Sequence, residues 1–157
     1  MPSWNDRAFW VLGQRVTLLA DAAGTGGAFS LIDITSPPGV PGPPPHFHED
    51  CMESFHVLEG TIEVSRDDET LTLEQGDSCL VPKGCVHTFR NAGSVPARIL
   101  SVFSPAGFEA FFPEFGTPLD QAGETPPPVT TEVIGRVLAG CSRHGMIVPP
   151  PPAGAAG

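Results

Sequence analysis

The stretch that decides the fold is "PPPHFHEDCMESFHVLEG", residues 43–60, which holds three of the chain's five histidines. In an extended strand, residues two apart share a face, so His46 and His48 point the same way and Phe47 points to the other side. Glu53 lies on the next predicted strand and can approach both histidines from across a turn. The stretch therefore predicts a polar cluster that is built from neighbouring segments.

A second histidine segment, "GDSCLVPKGCVHTFRN", covers residues 76–91. His87 lies there on a predicted strand, directly after a Pro82-Lys83-Gly84 turn. Three imidazoles and one carboxylate are a suitable ligand set for one divalent transition metal ion: Fe, Ni, Mn, Co, Cu or Zn. Solvated hydrogen-bonding groups are the alternative explanation of such a cluster. The residues favour a metal site formed by His46, His48, Glu53 and His87.

Composition narrows the possible partners. The chain has 157 residues, which fits one domain, and a net charge of −10 with Lys83 as the single lysine. Nucleic acids and anionic membrane surfaces attract basic proteins, so neither is an expected partner. No apolar run approaches the roughly 20 residues that span a bilayer, and no signal peptide is visible. We therefore expect a cytoplasmic protein with four reduced cysteines.

Short segments rich in Val, Ile, Leu, Thr and Phe alternate with Gly, Pro, Asn and Asp clusters, a pattern typical of an all-β domain. Turns at Glu59-Gly60 and Asp67-Asp68 predict two hairpins. Many short strands at even spacing indicate a sandwich or a small barrel. The predicted strands are Val11–Ala20, Phe29–Thr35, Glu53–Leu58, Thr61–Arg66, Glu69–Leu73, Ser78–Val81, Val86–Arg90 and Ala97–Ser104.

The pattern changes after Pro105. Four phenylalanines from Phe108 to Phe115 have helical spacing, although Pro113 limits that helix. This cluster is predicted to be core; closing the mouth of the barrel and a dimer contact are the alternatives. Residues 116–128 are predicted as a linker. A better helix spans 131–141, capped by Thr130 or Thr131, with an apolar stripe at Val133, Ile134, Val137, Leu138 and Cys141.

The two histidine segments resemble the two signature motifs of the cupin superfamily. The first motif is HxH, four residues, Glu, six residues and Gly, and the second requires Gly, Pro, Gly, His and Asn at set intervals. Gly39 lies seven positions before His46, where the family has glycine at six. The matching residues are His46, His48, Glu53 and Gly60 in the first motif, and Gly76, Pro82, Gly84, His87 and Asn91 in the second.

The resemblance implies an all-β fold, an antiparallel jelly-roll barrel with a short C-terminal helical extension. We expect a single domain over 1–157, with its barrel core at about 28–105, helices at about 106–145 and a flexible Pro/Gly tail at 149–157. The family holds its metal inside the barrel by residues that match His46, His48, Glu53 and His87. Single-domain cupins commonly form homodimers, and exposed strand edges give a physical reason for this.

The whole pattern resembles small bacterial cupins of the quercetinase-like group, also through "PPPHFH" and "SPAGFEAFF". That resemblance implies a metal-dependent dioxygenase that brings dioxygen to a flavonol-like, polyketide-like or otherwise enolic small molecule. Glu53 would then be a ligand or would take the proton of the substrate hydroxyl. The alternatives are a non-oxidative isomerase, cyclase or dehydratase of secondary metabolism, and a cupin that binds a small molecule without catalysis.

Strand parity also predicts the walls of the pocket. Phe55 and Val57 share the face of Glu53, and Phe89 shares the face of His87, so these three are predicted to contact substrate. His56 lies on the opposite face and is predicted to pack or hydrogen-bond outside the pocket; a catalytic acid/base role, which would require a bulge or an inward loop, is the alternative. Cys51 and Cys85 are near the ligands; thiolate ligation is an alternative, but small buried thiols are favoured.

Overall fold

The structure is a computed structural model that describes residues 7–151. Its strands are β1 (Ala8–Val11), β2 (Gln14–Ala20), β3 (Ser30–Ser36), β4 (Phe47–His48), β5 (Met52–Glu59), β6 (Ile62–Arg66), β7 (Glu69–Leu73), β8 (Ser78–Val81), β9 (His87–Arg90), β10 (Ala97–Ser104), β11 (Thr117–Pro118) and β12 (Met146–Ile147). Its α-helices are α1 (Ala22–Thr25), α2 (Phe111–Phe115), α3 (Leu119–Ala122) and α4 (Thr131–Gly140). Short 3₁₀ turns cover Phe108–Ala110 and Cys141–His144.

The strands form three antiparallel sheets. The largest has the order β11-β1-β2-β3-β10-β5-β8, the second β7-β6-β9 and the third β12-β4. Burial alternates along strands such as β3 and β10, because one face of each is turned to the interior. Inward-facing residues of the two larger sheets join in one hydrophobic cluster, with Phe55, Ile62 and Ile99 fully buried. The predicted all-β, antiparallel jelly-roll fold with a C-terminal helical extension is confirmed.

Two predictions about turns are wrong. Residues 11–20 are not one strand, because Leu12 and Gly13 form a turn between β1 and β2 with φ of 49° and 81°. The Glu59-Gly60 turn joins β5 to β6, but these strands pair in different sheets and form no hairpin. Gly60 has φ of 76°, and a Cβ there would lie 2.9 Å from the Pro96 carbonyl oxygen. The connection between the two sheets therefore requires glycine at this position. The hairpin at Asp67-Asp68 is confirmed.

The C-terminal part is more ordered than the sequence pattern predicts. The predicted linker contains β11 and α3, which are held to the sheet because β11 pairs with β1 and Trp10 Nε1 donates to the Gly123 carbonyl at 2.9 Å. Helix α4 begins as predicted, with Thr130 Oγ1 accepting from Val133 N. Its predicted apolar stripe is only partly buried, since Ile134 and Leu138 are 41% and 47% exposed.

Part of the predicted tail, residues 152–157, lies outside the described residues. Among residues 7–151, no helix has the length and apolar character needed to cross a membrane. Side chains of α2 and α4 belong to the same hydrophobic cluster as the strands. The boundaries of a single domain over the whole chain stay a prediction.

Candidate metal centre

The four predicted ligands lie together in the interior. His46, His48, Glu53 and His87 each offer one ligand atom, and these atoms all lie within 4.8 Å of one another. All four side chains are buried. Two segments that are 34 residues apart in sequence thus form one candidate metal site.

Backbone pairing holds the two ligand segments side by side. His46 N donates to His87 O at 3.0 Å, and His87 N donates to His46 O at 2.8 Å. On the same edge, Gly84 N donates to the His48 carbonyl. The other edge of β4 pairs with β12, where Met146 lies opposite His48. The two-residue ligand strand is therefore held from both sides, and the sequence pattern did not predict β12.

Hydrogen bonds select the nitrogen that two of the three imidazoles, His46 and His87, present to the cluster. Nδ1 of His46 donates to the Pro44 carbonyl at 2.9 Å, and Nδ1 of His87 donates to the Cys85 carbonyl at 3.0 Å. A proton on Nδ1 leaves the lone pair of Nε2 free for a metal ion. Nδ1 of His48 is buried and has no hydrogen-bond partner within the described part of the chain.

Glu53 lies at the centre of the cluster. Its Oε2 is 3.1 Å from His48 Nε2 and 2.8 Å from His87 Nε2, and its Oε1 accepts from Ser101 Oγ at 2.8 Å. Carboxylate oxygen and imidazole lone pairs are all electron-pair donors, so their convergence requires a shared cation, either a proton or a metal ion. Three imidazole nitrogens and one carboxylate oxygen suit a divalent transition metal, so the residues present fit the predicted ion.

The electrostatics of the cluster agree with that fit. Burial and the neighbouring imidazoles lower the pKa of His46 to about 4, so this ring is neutral at physiological pH. Burial alone would raise the pKa of Glu53, but hydrogen bonds from His48 and His87 outweigh it and lower that pKa. Burial also opposes charge on His87, yet the contact with Glu53 raises its pKa. An ionised carboxylate thus already attracts positive charge to this point.

The cluster opens onto a cavity of about 60 Å³ with mainly apolar walls. Five phenylalanines form much of the wall: Phe89, Phe103, Phe108, Phe111 and Phe112. The Phe108 ring packs edge-on against the His48 ring, with 4.4 Å between centroids. The phenylalanine segment after the barrel therefore belongs to the core, as predicted, and also forms part of the cavity wall.

The predicted substrate contacts occupy different places. Phe89 lines the cavity, whereas Phe55 and Val57 are fully buried behind it and Phe55 packs against Phe89 at 5.2 Å between centroids. Contact of these three residues with substrate stays a prediction. His56 is half-buried outside the cavity, and its Nδ1 lies 2.7 Å from Ser78 Oγ, as parity predicts.

The cysteines near the ligands form no part of the cluster. Burial raises the pKa of Cys51 to about 12, and burial together with Asp67 raises that of Cys85 to about 11. Both are therefore thiols rather than thiolates at physiological pH, and all four cysteines are unpaired.

The sequence prediction missed one part of the wall, the turn between β1 and β2, which contributes Val11, Leu12 and Gln14 to the cavity. The available signal was the alternation in "QRVTL", residues 14–18, which puts Gln14 on the same face as Val16 and Leu18.

Replacing Ser101 by alanine is expected to weaken metal binding by about 10–100-fold, because the serine orients the glutamate that the ion requires. Ser101 is fully buried and its hydroxyl has Glu53 as its partner. Ser104→Ala is the matched control, since this serine lies on the same strand and donates to the Ala28 carbonyl instead. Competition with a coloured chelator measures both affinities. Equal affinities in the two variants would contradict the positioning role.

Comparisons with known proteins identify relatives of this chain. The family model described as "Cupin domain" matches residues 33–103. Quercetin 2,3-dioxygenase of Bacillus subtilis (strain 168) is 30% identical over 140 residues, which is 88% of this chain and 41% of that protein. The chain spans 41–50% of the length of the first curated relatives it matches.

Solved structures give the same fold. A RmlC-like cupin from Shewanella frigidimarina is similar with a TM-score of 0.52 and 25% identity, over 60% of this chain and 78% of that one. A conserved protein with a double-stranded β-helix domain from Klebsiella pneumoniae has a TM-score of 0.51 and 20% identity, over 68% and 83% of the two chains.

Proposed function

Since the chain belongs to the cupin superfamily, we propose that it is a metal-dependent enzyme, a dioxygenase that acts on a small aromatic or enolic compound. The observation that carries the proposal is the buried cluster of three histidines and one glutamate at the wall of an apolar cavity. The similarity to quercetin 2,3-dioxygenase over most of this chain supports the oxidative reaction.

His46, His48, Glu53 and His87 would hold one divalent ion, Fe, Ni, Mn, Co, Cu or Zn. When bound, such an ion polarises a substrate oxygen and makes a coordinated hydroxyl more acidic. Glu53 would either stay a ligand of the ion or accept the hydroxyl proton on Oε2, the oxygen that faces His48 and His87. Its lowered pKa makes it a weak base, so this proton transfer depends on an acidic hydroxyl. Ser101 fixes the other carboxylate oxygen, and the phenylalanine walls exclude water.

The size of the cavity bears on the substrate. A volume of about 60 Å³ is far below the roughly 300 Å³ that pockets for drug-sized ligands reach. We therefore favour a compact enolic or catechol-like compound. A flavonol-sized or polyketide-like substrate would enter only if the segment from Phe108 to Phe115 moved, because its phenylalanines occupy the space beside His48.

Dioxygen uptake tests the proposed reaction. We expect the metal-loaded protein to consume dioxygen in proportion to the product formed from a catechol, a flavonol or a smaller enol, and the same protein treated with a chelator to consume none. An oxygen electrode with parallel mass spectrometry measures both quantities. Product formed under argon at an unchanged rate would instead establish a non-oxidative isomerase, cyclase or dehydratase, and tight binding without any product a non-catalytic cupin.

The remaining predictions concern the setting of the reaction. The homodimer and the role in secondary metabolism are proposals that rest on the family resemblance, and the cytoplasmic location is also a proposal. Exposed strand edges at β8 and β11, which end the seven-stranded sheet, are the physical basis for the dimer.

A further inference from the structure

One polar side chain on the cavity wall belongs to no part of the candidate metal centre. Gln14 begins β2, where it shares the inward face with Val16 and Leu18 and is only 5% exposed. It lines the same cavity as His46, His48 and Glu53. Apart from these residues, the described wall of the cavity is apolar.

The amide of Gln14 makes no hydrogen bond within residues 7–151, and unlike the fully enclosed unpartnered groups Ser36 Oγ and His48 Nδ1 it keeps some access to the cavity. His46, His87, Ser101 and Asn91 all make side-chain hydrogen bonds there. A buried amide without a partner destabilises a protein, so such groups are rare. The amide oxygen and nitrogen of Gln14 are therefore available to a partner that enters the cavity, either water or a polar group of a ligand.

We propose that Gln14 binds a second polar group of the ligand whose first oxygen is held at the cluster of His46, His48, Glu53 and His87. The inference rests on the proposed function and narrows its substrate class. The ligand is a compact aromatic or enolic molecule with an apolar body and, away from its metal-bound oxygen, a hydroxyl, carbonyl or nitro group. An amide suits all three groups, because it both donates and accepts.

A purely structural role for Gln14 makes the opposite prediction about stability. If the amide stabilised the fold, for example by turning towards the buried hydroxyl of Ser36 on β3, its removal would lower the melting temperature. If the amide awaits a ligand, Gln14→Leu removes a largely buried polar group that no protein group within residues 7–151 satisfies. We then expect the melting temperature of the metal-free protein to rise by about 2–4 °C. Gln75→Leu, at an exposed turn position, is the matched control and is expected to leave it unchanged.

Binding of a probe pair tests the ligand contact itself. The zinc-loaded protein is titrated calorimetrically with catechol and with 4-nitrocatechol, which share the oxygen pair but differ in a distal hydrogen-bond acceptor. We expect Gln14→Leu to lower the affinity for 4-nitrocatechol by about 5–10-fold and the affinity for catechol by less than about twofold. Gln75→Leu is expected to change neither. For each probe, the dissociation constant of the variant is divided by that of the wild type, so the different acidities of the two probes cancel.

The outcomes separate the two proposals. A loss confined to 4-nitrocatechol, with a raised melting temperature, supports the contact. Equal losses for the two probes, no loss for either, or a lowered melting temperature overturns it, while probe binding at the zinc leaves the proposed function intact. If the wild-type protein binds zinc but binds neither catechol nor 4-nitrocatechol, the proposal that the metal site binds the oxygens of such a substrate is wrong. The inference about Gln14 is then wrong as well.

Discussion

Replacing His87 by alanine is expected to reduce bound metal from about one ion per chain to a level that elemental analysis does not detect. The side chain is fully buried and its Nε2 lies 2.8 Å from Glu53 Oε2, at the centre of the cluster. Loss of a residue that only orients a ligand already costs about 10–100-fold in metal affinity, so loss of a ligand costs more.

His56→Ala is the control for this experiment, because His56 lies on the strand of Glu53 but outside the cavity, beside Ser78. It is expected to retain the metal. Circular dichroism shows whether the strands of both variants are intact. If His87→Ala kept a full complement of metal and unchanged activity, the central claim about the site would be wrong.

The second large effect concerns the packing behind the site. Phe55→Ala is expected to lower the free energy of unfolding by about 3–5 kcal/mol, the usual range for a buried phenylalanine. Phe55 is fully buried and packs against the rings of Phe89 and His87, with centroids 5.2 and 6.2 Å away. Its removal leaves a void beside a metal ligand, so metal affinity should fall as well.

Urea denaturation of the metal-free protein measures this loss. Phe29→Ala provides the comparison. Phe29 is 40% exposed, so its replacement should lower the free energy of unfolding much less. A loss below about 1 kcal/mol for Phe55→Ala would mean that the side chain lies at the surface of the cavity rather than in the core. The experiment therefore also bears on the predicted contact between Phe55 and substrate.

The candidate ligand set was predictable partly from local geometry and partly from the resemblance to the cupin motifs. His46 and His48 share a face of one extended segment, and Glu53 and His87 follow at spacings that the cupin motifs define. The turn at Leu12-Gly13 could not be predicted in the same way. Leu12 adopts φ of 49°, a conformation that leucine rarely takes and that the surrounding structure must impose, so the sequence pattern was interpreted as one continuous strand.

The same error concerns Gln14. In a single strand over Val11–Ala20 it is an interior position, whereas in the structure it is the first residue of β2. Gly60 was assigned to the correct turn but to the wrong type of connection, because pairing in different sheets is a non-local property. The strands β11 and β12 have two residues each and carry no periodicity. Only tertiary contacts, such as the one from Trp10 to Gly123, define them.

The pairing of β12 with β4 ties the far end of the described chain to the metal centre. Met146 lies opposite His48, and Glu49 N donates to the Gly145 carbonyl at 2.9 Å. An ion that binds only the assembled ligands stabilises every contact on which their assembly depends. If the centre binds an ion, order in the segment around β12 and occupancy of the centre are thermodynamically linked, although that segment supplies no ligand. Metal supply would then control how well residues 145–147 resist proteolysis.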